Sequence, residues 1–286
     1  MKMPDHTTEI KASATLWTKP FYFFILLVLV TTGWLFNGNW RSGLIASANS
    51  SDTPLRVLFI GNSFTYANDL PAIFEGIVKD RQPGKKLHIV TAAEGDYALW
   101  QHAADNTTKN ALMRGGPWDL VVLQDQSNMP LQESSSQVMD EWCVWFDKWI
   151  RSYHARTVLL MTWCDLNRPE DQVVISKVYR DIGLKLNALV IPAGDLMLEV
   201  TQKEPEIALY DADGHHPGPN GSYLVACLLC NMLTHTHTQS VSAGNTQANA
   251  LGAFTKAAVN IPEHIARKLQ KYADEFADLE MKRQHF

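Results

Sequence analysis

Cysteine is scarce. The 286 residues hold four, Cys143, Cys164, Cys227 and Cys230, too few for the disulfide framework that staples small secreted domains. They sit in apolar stretches, where cysteine serves as a small buried hydrophobe. Positive charge is also scarce: 25 Lys and Arg stand against 30 Asp and Glu, for a net charge of −5. The chain lacks the basic excess that binds nucleic acid, and no nucleic-acid partner is expected. No long acidic block marks a disordered tail. Charged residues make up only 19% of the chain and hydrophobic ones 46%, enough apolar material for one full-sized α/β domain.

One apolar run stands at the front. Residues 20–36, PFYFFILLVLVTTGWLF, carry no charge and come near the lower length limit of a membrane-spanning helix. Tyr22, Trp34 and Trp40 lie near its ends, as in an aromatic belt. Lys2, Lys11 and Lys19 precede it and Arg41 follows, a weak bias that places the N-terminus in the cytoplasm. Ala46-Ser47-Ala48 resembles a cleavage site. It lies about 12 residues past the run, and the polar leader 1–19 is long, so an uncleaved signal anchor is favoured over a cleaved signal peptide. Either delivers the rest of the chain outside the cytoplasm and makes the membrane an expected partner. Residues 37–54 read as a linker.

Beyond it, strand and helix patterns alternate. The runs Leu55–Ile60, Leu87–Ala92, Trp118–Gln124, Thr157–Thr162 and Leu189–Ala193 read as strands, the first and third of them as buried. Helices are expected from about Leu70, then over Tyr97–Met113, Glu133–Tyr153, Glu170–Asn187 and Asn220–Leu233, with a loop before Asp213. Trp142, Trp145 and Trp149 fall on one helical face and are read as packing. This order predicts a three-layer α/β/α sandwich with a five-stranded parallel sheet over residues 55–233, preceded by one hydrophobic helix. Residues 234–286 comprise a polar loop and, over Pro262–Lys282, an amphipathic helix expected to pack on the domain. In such sheets sites form outside the carboxyl ends of the strands.

Two segments carry candidate chemistry. Ser63 sits in Gly61-Asn62-Ser63-Phe64-Thr65, directly after the first strand, where glycine permits a tight turn. Its hydroxyl becomes a nucleophile only with a base, a group that orients the base, and donors for the oxyanion. Asp211-Ala212-Asp213-Gly214-His215-His216-Pro217 offers such a base. Asp213 and His216 stand three apart, so the carboxylate can fix the imidazole tautomer and stabilise the imidazolium. Each segment alone also reads as an ordinary turn.

Together they resemble the SGNH/GDSL hydrolase family. Gly61-Asn62-Ser63 matches its nucleophile block, with Asn62 in place of the usual aspartate, and Asp213-x-x-His216 matches its last block. The resemblance covers about residues 55–233. It also resembles a poorly characterised subgroup with a Gly-Asn-Ser-Phe start, a Leu-Gln-x-Gln-Ser middle and an Asp-Gly-x-His-Pro end. The family implies a flavodoxin-like fold, Ser63 as nucleophile, His216 as base and Asp213 as its orienting acid. His215 is the rival base, but its spacing from Asp213 departs from the pattern. The family further implies oxyanion donors from Gly95, in Ala93-Glu94-Gly95-Asp96, and from Asn128, in Gln126-Ser127-Asn128-Met129. The glycine and aspartate expected around Asn128 are missing, so Gln124 and Gln126 stand as alternatives.

The expected activity is hydrolysis of a carboxylic ester, by resemblance that of an acylated carbohydrate or a small acyl ester, without metal or cofactor. Two other readings keep the fold: a non-catalytic carbohydrate-binding or cell-envelope module, and an acyltransferase. A zinc site is a weaker alternative. Cys227-x-x-Cys230 and His235-x-His237 have suitable ligand types, but the cysteines lie in the apolar run LVACLLCNML and the histidines in a polar loop.

Overall fold

The computed structural model describes residues 53–239 and 261–284. The leader 1–19 and the apolar run 20–36 lie outside the described residues. Among those described, no helix is long and apolar enough to cross a membrane.

Five strands form one parallel sheet: β1 (Leu55–Gly61), β2 (Leu87–Ala93), β3 (Leu120–Leu123), β4 (Arg156–Leu160) and β5 (Leu189–Ile191). Their order is β2-β1-β3-β4-β5. The helices are α1 (Ser63–Tyr66), α2 (Leu70–Arg81), α3 (Leu99–Ala104), α4 (Asn106–Arg114), α5 (Glu133–Ser152), α6 (Asp171–Leu186), α7 (Ala193–Lys203), α8 (Pro219–Thr234) and α9 (Glu263–Arg283).

In β1, β3, β4 and β5 side chains alternate between two buried faces, which is why those strands read as continuous apolar runs; the edge strand β2 buries only Ala92. Leu58, Ile60, Val121, Leu123 and Val190 share one core with Leu99 of α3, Leu112 of α4, Phe146 of α5 and Tyr179 of α6. On the other face Phe59 meets Phe74 of α2, ring centroids 6.3 Å apart. There α8 packs against α2, β5 and α9. It is buried along its whole middle, from Gly221 to Met232, and so is apolar all round. Cys227 and Cys230 are part of that packing.

Three expectations are corrected. The stretch 97–113 is two helices. Asp105 ends α3 and then caps α4, its side chain accepting from Thr108 N–H at 2.7 Å. The strand expected over 189–193 stops at Ile191, and the segment after it, expected to be loop, contains α7. Gly194 lies in its first turn because no side chain fits there: a Cβ would come within 2.1 Å of the Thr162 carbonyl. Of the three tryptophans, Trp142 and Trp145 pack on the core, whereas Trp149 is 36% exposed.

The C-terminal helix α9 packs on the domain, burying Ala266, Leu269, Ala273 and Ala277. Beyond it, Gln284 pairs with Val190, accepting its N–H at 3.0 Å and donating to its carbonyl at 2.8 Å. This satisfies backbone groups of β5, which is an edge strand. From β1 the chain runs outward to β2, then crosses back past β1 to β3. The crevice at the carboxyl ends of β1 and β3 is therefore the topological switch point, where open α/β sheets bind ligands.

Candidate active site

The nucleophile segment is built by packing at the end of β1. A Cβ on Gly61 would lie 2.4 Å from Thr65 Oγ1 and 2.6 Å from Gln124 Oε1. Only glycine lets Gln124 come that close. Gln124 Oε1 accepts from Asn62 N–H at 3.0 Å and from the Thr65 hydroxyl at 2.8 Å. Its Nε2 donates to Asn62 Oδ1 at 2.9 Å. The same Oδ1 caps α1 by accepting from Phe64 N–H at 3.1 Å. Asn62 Nδ2 then donates to the Tyr97 carbonyl at 3.1 Å.

The buried His102 holds the strand end from behind. Its Nε2 donates to the Gly61 carbonyl at 2.8 Å, and its Nδ1 meets Thr108 Oγ1 at 2.8 Å. Burial pushes this imidazole below its usual pKa, which favours the neutral form. Ser63 follows as the first residue of α1, where a backbone N–H has no intrahelical acceptor.

The histidine segment is a closed loop between α7 and α8. A bridge pairs Tyr210 with Pro217, and Asp211 N–H donates to the His216 carbonyl at 2.9 Å. Asn68 ties this loop to the nucleophile side, donating to the Pro217 carbonyl at 2.8 Å and to Ser222 Oγ at 3.0 Å. With both ends fixed, His216 Nε2 lies 3.0 Å from Ser63 Oγ. His216 Nδ1 lies 2.6 Å from Asp213 Oδ2. Asp213 Oδ1 accepts the N–H groups of His215 and His216 at 2.9 and 3.0 Å. The His216 imidazole, reinforced by those two N–H groups, holds the Asp213 carboxyl well below the usual carboxylate range.

Residues 153 positions apart thus meet in one relay. It links a serine hydroxyl, an imidazole and a carboxylate in line. It opens onto a cleft of about 360 Å³ lined by Asn62, Ser63, Phe64, Tyr66, Gly95, Asp96, Gln126, Ser127, His215 and His216. Gly95 is on that wall, in the loop after β2. Asn128 is exposed and is not among the lining residues; its backbone N–H donates to Gln126 Oε1 at 2.7 Å. Gln126 lines the cleft, and its Nε2 donates to Asp96 Oδ1 at 3.0 Å. Gln124 is 1% exposed, and its amide is engaged in holding the turn at Asn62.

Sequence reasoning missed a second histidine–carboxylate pair beside the first. His215 Nδ1 lies 2.6 Å from Asp165 Oδ1. Asp165 follows β4, and no local spacing links it to a residue 50 positions away. It missed His102 and Asn68 for the same reason. The zinc reading loses its geometry. Cys230 is buried and its thiol pushed up to about 12, His237 pairs with Asp278 at 3.0 Å, and among the described residues no three ligand side chains cluster.

The five-stranded parallel sheet with helices on both faces is the fold of the SGNH/GDSL hydrolases. No family model and no curated protein matches the sequence, but solved structures match the fold. A candidate SGNH hydrolase from Slackia heliotrinireducens aligns with a TM-score of 0.53 at 23% identity, over 63% of this chain and 98% of its own. A DUF4886 family protein from Bacteroides uniformis aligns at 0.55 and 18%, over 78% of this chain and 96% of its own. A member of the lipolytic G-D-S-L family from Veillonella parvula aligns at 0.51 and 14%, over 63% and 98%.

Proposed function

We propose that the chain is a serine-dependent carboxylic ester hydrolase, with Ser63 as nucleophile, His216 as general base and acid, and Asp213 as the group that orients His216. The observation that carries this reading is the unbroken relay from Asp213 Oδ2 through His216 to Ser63 Oγ, at 2.6 and 3.0 Å, opening on a cleft.

The chemistry follows from the groups. His216 Nε2 takes the hydroxyl proton as Ser63 attacks the ester carbonyl. Asp213, kept ionised, holds Nδ1–H and stabilises the imidazolium. The N–H groups of Ser63 and Gly95 receive the charge on the tetrahedral oxygen. On the β3 side we assign the third donor to the Gln126 side chain, which lines the cleft. Asn128, which family spacing selects, is assigned to orienting the Gln126 amide through its backbone N–H. His216 returns the proton to the departing alkoxide, and water, activated by the same base, releases the acyl group.

We further propose that the domain works outside the cytoplasm, anchored to the membrane by the apolar run 20–36, and that its substrate is an acylated carbohydrate or small acyl ester.

Ser63→Ala tests the assignment. Hydrolysis of a chromogenic acetate ester should fall by at least about 10³-fold, with an unchanged circular dichroism spectrum and thermal transition. Full activity in the variant would sink the nucleophile assignment. Glycan binding without turnover by the wild type would favour a binding module instead.

A further inference from the structure

His215 is fixed on every side. Its N–H donates to Asp213 Oδ1 at 2.9 Å, and its carbonyl accepts from Trp163 Nε1 at 3.1 Å. Its ring packs on Phe64 at 4.8 Å, and Phe64 in turn stacks on Trp163 at 4.4 Å with the planes 1° apart. Its Nδ1 is held by Asp165 at 2.6 Å. A surface histidine with no task does not need four restraints. The side chain is 32% exposed and lines the cleft, and Nε2 makes no hydrogen bond among the described residues.

Its position relative to the reaction follows from its neighbour. The oxyanion donors Gly95 and Gln126 come from the loops after β2 and β3. The leaving oxygen must instead reach His216 Nε2, which returns its proton. His215 stands on that side, its ring centroid 5.0 Å from that of His216. Asp165 Oδ1 can only accept, so Nδ1 carries the hydrogen and Nε2, on the cleft side, is the ring's acceptor position. Asp96 is on the wall, so an anionic alcohol is disfavoured, and a neutral hydroxyl is a group that the Nε2 acceptor fits.

We infer that His215, oriented by Asp165, determines specificity for the alcohol half of the ester, accepting a hydrogen bond from a hydroxyl adjacent to the ester oxygen. The preferred substrates are then partial esters of polyols. This rests on the hydrolase reading above and deepens it.

Two acetates that differ only in the donor test it: 2-hydroxyethyl acetate and 2-methoxyethyl acetate, whose leaving groups are electronically similar. The wild type should favour the hydroxy ester in kcat/KM by about tenfold, the worth of one good hydrogen bond. His215→Phe keeps a ring against Phe64 and should bring the ratio close to one, mainly through KM on the hydroxy ester. Asp165→Leu, which frees the ring, should shift the ratio in the same direction and covers the case in which the first variant does not fold. A wild-type ratio near one, or equal losses on both esters in the variants, would overturn the inference. A wild type that cleaves neither ester would overturn the hydrolase reading instead.

Discussion

Asn62 occupies the position where the family usually has aspartate, and the structure gives the exchange a physical reason. An aspartate could cap α1 and accept from Gln124, as Asn62 Oδ1 does. It could not donate to the Tyr97 carbonyl, which Asn62 Nδ2 does at 3.1 Å. The amide joins the turn carrying Ser63 to the loop carrying Gly95, so the two N–H groups assigned to the oxyanion share one anchor. The third donor shows the reverse relation between spacing and place. Asn128 falls on the family position, yet it is Gln126 that reaches the cleft wall. Gln126→Ala should therefore lower kcat by about 10²–10³-fold with little change in KM, the usual loss for one oxyanion donor. Asn128→Ala keeps its backbone N–H and should lose less than about tenfold. Steady-state kinetics on one activated ester decides it, and the opposite ranking would return the donor role to Asn128.

At the scale of elements, what could be read depended on whether the signal was local. The five strands were legible because each is a short apolar run, and the first four have a helix pattern after them. The helix α7 was not. Pro192 and Ala193 were read as the end of the strand and the segment after them as loop, and only the closeness of the Thr162 carbonyl to Gly194 shows why a glycine belongs in that first turn. The packing of α9 was expected from its amphipathic face, but its main polar clamp was hidden. Asp274 is 1% exposed. It accepts from Asn231 Nδ2 at 3.2 Å, from Thr238 N–H at 2.8 Å, from Thr238 Oγ1 at 2.9 Å and from Gln239 N–H at 2.9 Å. A buried carboxylate is tolerable when donors converge on it in this way. Asp274→Ala would leave several buried donors unmet and should cost on the order of 3–5 kcal/mol. Denaturant unfolding measures the loss, and amide exchange should show α9 and residues 236–239 losing protection first. A loss below about 1 kcal/mol would mean that the apolar face alone holds the helix.

Taken as a whole, the molecule gives up stability where the site is assembled. The placement of Ser63 after β1 and Gly95 after β2 was legible, because each lies directly after a strand; Asp213 and His216 lie further on, in the loop between α7 and α8. The second sphere, His102, Asn68, Asp165 and Asp125, was not legible, since its members meet only through the fold. Asp125 is the sharpest case. It follows β3, is 1% exposed, and binds Leu99 N–H at 2.9 Å and Gln126 N–H at 2.8 Å through Oδ1, while Oδ2 is buried with no partner. Burial raises its pKa from 3.8 to about 6. The sign follows directly. Below about pH 4 the carboxyl is protonated in both folded and unfolded chains and contributes no difference. As pH rises through 6 the unfolded chain ionises freely and the folded one resists, so stability is lost, by on the order of 3 kcal/mol once both are ionised. Asp125→Asn keeps the acceptor for Leu99 and Gln126 and removes the ionisation. Its unfolding free energy relative to wild type should be larger, meaning a more stable fold, at pH 7 than at pH 4 by roughly 3 kcal/mol. Taking that difference between two pH values cancels any constant packing change. His102, whose pKa is lowered, acts in the opposite sense, losing stability as pH falls below about 6.5 in both proteins, so it cancels as well. Denaturant titrations of the two proteins at both pH values give the answer. An equal offset at pH 4 and pH 7 would show that Asp125 is not held against its ionisation, and that the junction of β3, α3 and Gln126 is formed at no cost to the fold.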